Sequence, residues 1–501
     1  MEFAAIVADH YMKALEIEPD EALAASARAS MLAAAHRAFD LHSHRQALSL
    51  VSRGLDIPGE DAGRVPLWEL GALAASNVSE GEAAVGMARD ALGWHEEHGI
   101  SDGAVRAARI CGYVLSSLDR PVDALEVMGP HFVPGAADPE MRELGAELAR
   151  AHMLAGNSQA SADVARDTMV AAEAAGDLEV VVETLNTRGT VLTSLGRLHE
   201  ALALLSGAVG LAAELDSPVA ELRALNNYGV TAAAQGLRSE PRVALRFSEL
   251  TQRLGIFDFQ LRGMNWQAEE LRGRGDFFQA VALYEDFEIS PTSTWGRVLG
   301  ADALISRWAL TNDDTFLEEA MRDVSEVPVQ QEPQIQAWVD GIGAVVIFLR
   351  DDPQAAYAQV AEIDRSHLPP FSRACELGVW SAIRLQDAAR LEGAAEALRS
   401  QLGRRFDVIR QTAAAALMVL SGDVEAGARA FVAAIERCEK VDGPLSAMSL
   451  RALFGELLPD NDLARLEADR AHDWFVAKEA AGYLGLFSHA WPSAASSAEA
   501  G

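Results

Sequence analysis

Positive charge is scarce in this sequence, and lysine is scarcer still. Of the 42 basic residues among 501, only Lys13, Lys440 and Lys478 are lysines, whereas Asp and Glu together number 74 and the net charge is −32. A chain this acidic repels a phosphate backbone, so a general nucleic-acid-binding role is disfavoured. We attribute the arginine bias, together with the excess of alanine, to genome composition.

Cysteine, long apolar runs and an N-terminal targeting pattern are also lacking. The three cysteines, Cys111, Cys375 and Cys438, are odd in number and far apart, which indicates a reducing compartment and no disulfide framework. The longest apolar runs, such as Ile342–Leu349, are far shorter than the roughly 20 residues of a membrane span. The N-terminal segment lacks the basic and apolar regions of a signal peptide. We therefore expect a soluble, cytoplasmic protein.

Sequence motifs of catalysis are missing as well. The dipeptide Gly-Lys never occurs, so a phosphate-binding G-x-x-x-x-G-K-[ST] loop is excluded. His95 and His98 are three positions apart, not four as in zinc metalloproteases, and we interpret them as cations favoured at a helix C-terminus. Arg404 and Arg405 are interpreted as a solvated helix end. We predict no enzymatic activity, no metal site and no cofactor.

What the sequence does contain is the composition of helices. Half of its residues are hydrophobic, and it is rich in Ala, Leu, Glu and Arg, which are strong helix formers. The polar–apolar alternation of β-strands is nearly absent. We predict an all-α protein in which over roughly three-quarters of the residues are helical, against about one-third in an average globular protein.

A repeated pattern is clearest between Val182 and Gly255. Its two copies contain a Leu-Asn pair, then a glycine, then a turn glycine. The equivalent residues are Leu185, Asn186, Gly189 and Gly196 in the first copy, and Leu225, Asn226, Gly229 and Gly236 in the second. Small residues where two helices cross and glycine where the chain reverses are typical of a helix–turn–helix unit. One unit cannot bury its own apolar face, so copies must stack.

Eleven such turns can be located, at spacings of 35 to 41 residues. They lie at His42, Val78, Asp119, Gly156, Gly196, Gly236, Gly275, Asn312, Asp352, Asp387 and Gly422. Capping residues precede prolines at Asp138-Pro139, Ser217-Pro218 and Asp352-Pro353, as expected where helices begin. The pattern predicts a tetratricopeptide-like α-solenoid, a right-handed superhelix of about eleven helix–turn–helix repeats.

The repeat is interrupted at residues 287–295 (FEISPTSTW), and its signature fades afterwards. We therefore divide the chain into an N-terminal tetratricopeptide-like array, residues 1–286, and a divergent array, residues 287–490, which continues the superhelix. Leu463–Ala480 is predicted to form a terminal cap. Residues 491–501 have nothing to bury and are predicted to be disordered.

The repeats resemble the tetratricopeptide superfamily over nearly the whole chain, most sharply from Gly156 to Asp286. Within His10–Leu55, a His-Tyr pair, a Pro-Asp-Glu spacer, an Ala-rich helix and the stretch QALSLVSRGL follow one another. This segment is similar to the one after the ATPase module of large bacterial regulators, especially those linked to adenylate/guanylate cyclases and also those with a DNA-binding domain. Neither the cyclase nor the ATPase module is present. The resemblance implies bacterial signal transduction, by a solo array or by a piece of a split or shortened regulator.

Polar residues on the first helices of the repeats are the candidate binding residues. In tetratricopeptide arrays this region of the first helix faces the concave groove, where asparagine can pair with the backbone of an extended peptide. The candidates are Asn186, Arg188, Arg223, Asn226 and Asn227. Alternatively, the amides bridge neighbouring helices within the stack. We predict a non-catalytic scaffold that binds a peptide or partner domain and no membrane.

A second hypothesis is a ligand- or peptide-sensing array. Tryptophans cluster in the second half of the chain, where the repeats are irregular, and aromatic walls are usual in small-ligand sites. They are Trp266, Trp295, Trp308, Trp338 and Trp380. The alternative is that they pack in the core of divergent repeats.

The first helix carries apolar residues on more than one face, more than one following helix should cover. They include Phe3, Ile6, Val7, Tyr11, Met12 and Leu15. Because an end repeat normally has a polar outer face, we expect this helix to pack against a partner protein, a second copy of the chain or a fold-back contact.

Overall fold

The computed structural model describes residues 2–17, 20–78, 80–237, 241–285, 294–330, 333–363, 374–399 and 401–491. Within these ranges the chain forms 26 α-helices and no β-strand, and the helical content is 83%. The all-α class and the high helical content predicted from composition are therefore confirmed. No described helix is long and apolar enough to cross a bilayer.

The helices are numbered in chain order. They are α1 (Glu2–Ile17), α2 (Glu21–Asp40), α3 (His44–Leu55), α4 (Val65–Asn77), α5 (Gly81–Glu97), α6 (Ser101–Ser117), α7 (Pro121–Met128), α8 (Pro139–Leu154), α9 (Ser158–Ala175), α10 (Leu178–Ser194), α11 (Leu198–Glu214), α12 (Pro218–Ala234), α13 (Pro241–Leu254), α14 (Phe257–Gly273), α15 (Phe277–Glu285), α16 (Thr294–Thr311), α17 (Thr315–Ser325), α18 (Pro333–Leu349), α19 (Pro353–Glu362), α20 (Ala374–Arg384), α21 (Ala388–Ala397), α22 (Arg404–Leu420), α23 (Val424–Val441), α24 (Pro444–Leu457), α25 (Asp462–Ala477) and α26 (Ala481–Leu486). Short 3₁₀ turns lie at Asp61–Gly63, Gly129–His131 and Ser488–Ala490.

All eleven predicted turns lie between two helices that contact each other, from the α2–α3 pair to the α22–α23 pair. Ten of these turns contain a residue with left-handed backbone, a conformation that ends a helix and that glycine adopts without strain. These residues are His42, Asp119, Gly156, Gly196, Gly236, Gly275, Asn312, Asp351, Gln386 and Gly422. The repeat spacing therefore located the chain reversals correctly.

A twelfth pair, α24–α25, was not predicted. Its connection at residues 458–461 contains no residue with left-handed backbone, so it lacks the signal that marks the other turns. The predicted cap, Leu463–Ala480, forms most of α25. It packs against α24, and α26 follows it in the chain.

The predicted caps are confirmed at two helix starts. Asp138 accepts a hydrogen bond from the backbone N–H of Met141 at 3.2 Å, and Asp352 accepts one from Ala355 at 2.9 Å. Ser217 precedes α12 but makes no capping bond through its side chain. The proline that follows it is enough to place the first turn, because its φ is already helical.

The two equivalent glycines of the repeat have different neighbours. A Cβ on Gly189 would lie 2.6 Å from Cγ of Leu205 on the paired helix α11, as the predicted close crossing requires. A Cβ on Gly229 would lie 2.6 Å from the Trp266 ring on α14, the first helix of the next pair. Gly229 therefore makes room for an aromatic ring, whereas Gly189 lets two paired helices approach.

The late helices return to contact the middle of the chain. Val441 lies against Gly236, and Trp474 lies against Gly275. Helix α24 contacts α14, and α26 contacts α16. One hydrophobic core accordingly runs from Leu261 to Trp491.

That core contains residues on both sides of the predicted boundary at residue 286, and most of the interrupting stretch, residues 287–293, lies outside the described residues. Trp295 is described and packs against the core. The division into arrays 1–286 and 287–490 and the right-handed sense of the superhelix stay predictions. The predicted disordered tail, residues 491–501, is described only at Trp491, which is buried.

Helix α1 is covered on one face. Tyr11, Met12 and Leu15 pack against the core formed by α2, α3 and α4, whereas Ile6 and Val7 are exposed. The side chain of Phe3 lies outside the described residues. The expected partner for the second face stays a prediction.

Candidate functional site: a groove lined by first helices

A groove with a cavity of about 760 Å³ runs along the first helices of eight consecutive pairs. Its walls come from α4, α6, α8, α10, α12, α14, α16 and α18, with contributions from turn residues, Ser158 at the start of α9, and Gln401. Stacked helix pairs present their first helices on one common face, so side chains from distant repeats meet there. The expectation that first helices face a groove agrees with this geometry.

Amides and hydroxyls form the floor of the groove where α10 meets α12. Asn227 Nδ2 donates to Asn186 Oδ1 at 3.0 Å, and Asn226 Nδ2 donates to Asn227 Oδ1 at 3.1 Å. One turn further on, the hydroxyls of Thr193 and Thr231 are 2.6 Å apart. The amides bridge neighbouring helices, as the alternative interpretation held, and Asn226 and Asn227 also line the groove.

The remaining candidates occupy different surroundings. Arg223 lines the groove and forms an ion pair with Glu183 across α10 and α12. Arg188 is directed toward α9, where its Nη1 lies 3.7 Å from the sulfur of Met169, and it is not part of the groove wall. Asn186 is buried beneath the floor. Of the five candidates, three line the groove.

Ion pairs line the end of the groove formed by α6, α8 and α10. Arg109 pairs with Glu143 at 3.0 Å, and Arg150 pairs with Glu147 at 2.7 Å. Burial raises the pKa of Glu143, which Arg109 opposes and nearby carboxylates reinforce. Acidic side chains exceed arginines at this end, so its potential is negative.

Tryptophans and one arginine line the opposite end. The Arg262 guanidinium carbon lies 4.7 Å from the centre of the Trp295 ring, and the rings of Trp295 and Trp338 are 4.9 Å apart. Trp266 completes this wall. The other two tryptophans of the predicted cluster, Trp308 and Trp380, are buried in the core. Core packing therefore accounts for Trp308 and Trp380, and Trp338 also belongs to the core. The interpretation of the wall as a ligand site stays a prediction.

A second cavity of about 960 Å³ lies behind the aromatic wall. It is lined by helices α12–α16 and α18 and by the returning helices α22–α24 and α26. It shares Val230, Trp266 and Trp338 with the groove, and much of its surface is apolar. Its polar lining includes a buried ion pair in which Arg272 Nη1 lies 2.5 Å from Asp302 Oδ1. Burial alone would lower the pKa of Arg272, but the negative charge of Asp302 outweighs it and raises the pKa.

The interpretation of Arg404 and Arg405 as a solvated helix end is wrong for Arg405. Arg404 is exposed, but Arg405 is buried, with Nε 3.0 Å from Asp442 Oδ1. Glu376 is a second carboxylate near this guanidinium. Asp442 follows the paired helix α23 and Glu376 lies on α20, so the helices next to α22 bury its first turn.

The two histidines near residue 95, His95 and His98, have different surroundings. His98 is the C-cap residue of α5, as predicted, and its Nδ1 lies 2.8 Å from the carbonyl oxygen of Trp94. His95 is buried, with Nε2 3.1 Å from Glu69 Oε1. In the part of the chain that the structure describes, no group of three or more His, Cys, Asp or Glu side chains is placed to hold a metal ion.

No protein-family model and no curated protein matches the sequence. Among solved structures, a chain from the crystal structure of the APC/C hetero-tetramer Cut9–Hcn1 is similar over 91% of this chain and 92% of that one, with 12% sequence identity and a TM-score of 0.44. Similarity at this level carries no information about a partner or an activity.

Proposed function

We propose that this protein is a non-catalytic interaction scaffold that binds an extended peptide segment of a partner protein in the groove. The observation that carries the proposal is a single cavity of about 760 Å³ built by the first helices of eight pairs. Its size is within the range of about 300–1,000 Å³ of ligand pockets. Since one polar face continues across several repeats, an elongated ligand fits it better than a compact one.

The floor of the groove has spare hydrogen-bonding capacity for a peptide backbone. A carboxamide offers two N–H donors and an oxygen with two lone pairs. Asn227 uses one donor toward Asn186 and one lone pair toward Asn226. One donor and one lone pair remain, which is the complement of one peptide unit. The bridge to Asn186 holds the amide in place, so little side-chain entropy is lost on binding.

A role in bacterial signalling within the cytoplasm is part of this proposal. It rests on the resemblance of residues 10–55 to the segment after the ATPase module of cyclase-linked and transcriptional regulators. The net charge of −32 supports a protein partner over a nucleic acid.

Selection from a randomised, displayed peptide library on the full chain tests the proposal. Ser194 is exposed and lines the groove, so Ser194→Trp should fill the groove without disturbing the core. Val170→Trp, on the exposed face of the second helix α9, is the matched control. We expect enriched peptides to lose binding at least tenfold with Ser194→Trp and to bind normally to Val170→Trp. Asn227→Ala should weaken them to an intermediate degree.

Two results would contradict the scaffold proposal. One is a library that yields no enriched sequence against the folded chain. The other is a set of binders that Ser194→Trp does not affect, which would place the binding surface elsewhere.

A second candidate function, small-ligand sensing, is favoured by the cavity of about 960 Å³ behind the aromatic wall. An apolar ligand there would contact both the middle of the chain and the returning helices, and so would stabilise their closure. We expect a matching apolar compound to raise the melting temperature of the wild type and not of Ile342→Trp, which fills this cavity. A screen of apolar metabolites with no such difference would exclude this function.

A further inference from the structure

All but two of the described charged side chains that line the groove have an electrostatic or hydrogen-bonding partner. Those with an electrostatic or hydrogen-bonding partner are Arg109, Asp119, Glu143, Glu147, Arg150, Asp177, Glu183 and Arg223. Among the described residues, Glu179 and Arg262 line the groove and form no ion pair or hydrogen bond through their charged groups. One is an acid and the other a base, and they lie on different first helices.

The position of Arg262 suits it to bind an anion. Its guanidinium is stacked over Trp295, which fixes the plane of the group and covers one face, while the N–H edge stays available. Five donors in a planar fork match the two oxygens of a carboxylate. The indoles of Trp266 and Trp338 are in the same wall, so an apolar group has a surface beside the anion.

Glu179 is at the acidic end. It lies in the first turn of α10 and is exposed to the groove. Glu143 and Asp177 are nearby carboxylates, but each is paired with an arginine that neutralises its charge. The charge of Glu179 therefore remains to attract a cation from a ligand.

We propose that the groove binds a peptide segment that is acidic at one end and basic at the other. Its carboxylate, next to an apolar side chain, lies at the Arg262 end, and its lysine or arginine lies at the Glu179 end. This inference rests on the proposed scaffold function and adds the chemistry and the orientation of the segment. Helices α10 and α14 are first helices two pairs apart, so the two charges are on the order of 20 Å apart for axes separated by about 8–10 Å. An extended chain covers that distance in about six residues.

The amide floor between the two charges supports an extended polypeptide over other ligands. Asn226 and Asn227 lie on α12, between α10 and α14, and offer paired donors and acceptors. A uniformly anionic polymer would meet the acidic end, where like charges repel it. A peptide that is basic at one end and acidic at the other satisfies both ends.

The test repeats the selection from one randomised nonapeptide library on four full-length proteins: the wild type, Arg262→Gln, Glu179→Gln and the control Arg253→Gln. Arg253 is exposed on the second helix α13 and lines neither cavity. Peptides enriched on the wild type and on the control should contain an acidic group next to an apolar residue, with a basic residue about six positions away. Arg262→Gln should remove only the acidic preference, and Glu179→Gln only the basic one.

Synthetic versions of the enriched peptides then identify the source of the carboxylate. Each is made with Glu or Asp replaced by its amide, and separately with a free or amidated C-terminus. The replacement that removes the carboxylate bound by Arg262 should weaken binding to the wild type at least tenfold. The same replacement should weaken binding to Arg262→Gln less than twofold. Enriched peptides without a carboxylate preference that still compete in the groove would overturn this inference and leave the scaffold function intact. A library that yields no groove binder would overturn both.

Discussion

Lys478 Nζ lies 2.7 Å from Asp276 Oδ1, although the two residues are 202 positions apart. Asp276 follows the turn between α14 and α15, and Lys478 is the C-cap residue of α25. Next to this ion pair, Gly275 adopts left-handed backbone and lies against the ring of Trp474. The contact fastens the end of the array to its middle.

Gly275→Ala should loosen this closure. Alanine in left-handed backbone costs about 1–2 kcal/mol, and its Cβ would lie 2.6 Å from Trp474 and 3.0 Å from Lys478. Gly255→Ala is the control, because Gly255 has a similar φ and nothing within 4 Å of an added Cβ. We expect Gly275→Ala to reduce the free energy of unfolding by about 1–3 kcal/mol more than Gly255→Ala. Denaturant unfolding measures this difference, and equal losses would show that the contact is absent in solution.

Two helical glycines should respond to alanine with opposite signs. Gly189→Ala places a Cβ 2.6 Å from Leu205 at the α10–α11 crossing and should destabilise the chain by about 1–3 kcal/mol. Gly210→Ala, in the middle of α11 with open space around it, should stabilise the chain by about 0.5–1 kcal/mol. Thermal unfolding of both variants provides the check. A stabilised Gly189→Ala would mean that α10 and α11 do not approach as described.

Asp302→Ala should be among the most destabilising single changes. It leaves the guanidinium of Arg272 buried without its close anionic partner, which typically costs about 3–5 kcal/mol. The control is Glu270→Ala, which breaks an exposed pair with Arg274 and should change stability by less than about 1 kcal/mol. Both are measured by urea unfolding. A small effect of Asp302→Ala would indicate that water reaches the guanidinium through the cavity.

Stability should fall in mild acid partly because of His152. Burial lowers the pKa of this histidine in the folded state, so the unfolded chain binds the proton first. Stability is therefore lost as the pH drops from the unfolded value of about 6.5 toward the lower folded value. We expect His152→Gln to lose less stability than the wild type between pH 7.5 and 5.5. His199→Gln, at an exposed site on α11, should retain the loss seen in the wild type.

The sequence alone determined the class, the repeat and the positions of the chain reversals. Those depend on local physics: helix propensity, glycine or asparagine at a left-handed turn, and small residues at helical spacing. It also led to Asn226, Asn227 and Arg223, because residues at equivalent positions of successive repeats must line one face. It did not predict the α24–α25 pair, whose turn lacks the local signal.

Only the tertiary structure decided which side chains meet across the array. The sequence contains nothing that joins Asp276 to Lys478, because that contact depends on the curvature accumulated over many repeats. The same holds for Arg262, whose role follows from a tryptophan on the next first helix and from the absence of an ion-pair partner among the described residues. Arg188, one position from the Gly189 crossing, faces α9 and not the groove. Successive residues of a helix point about 100° apart, so a shift of one position decides whether a side chain lines the groove or packs against a neighbouring helix.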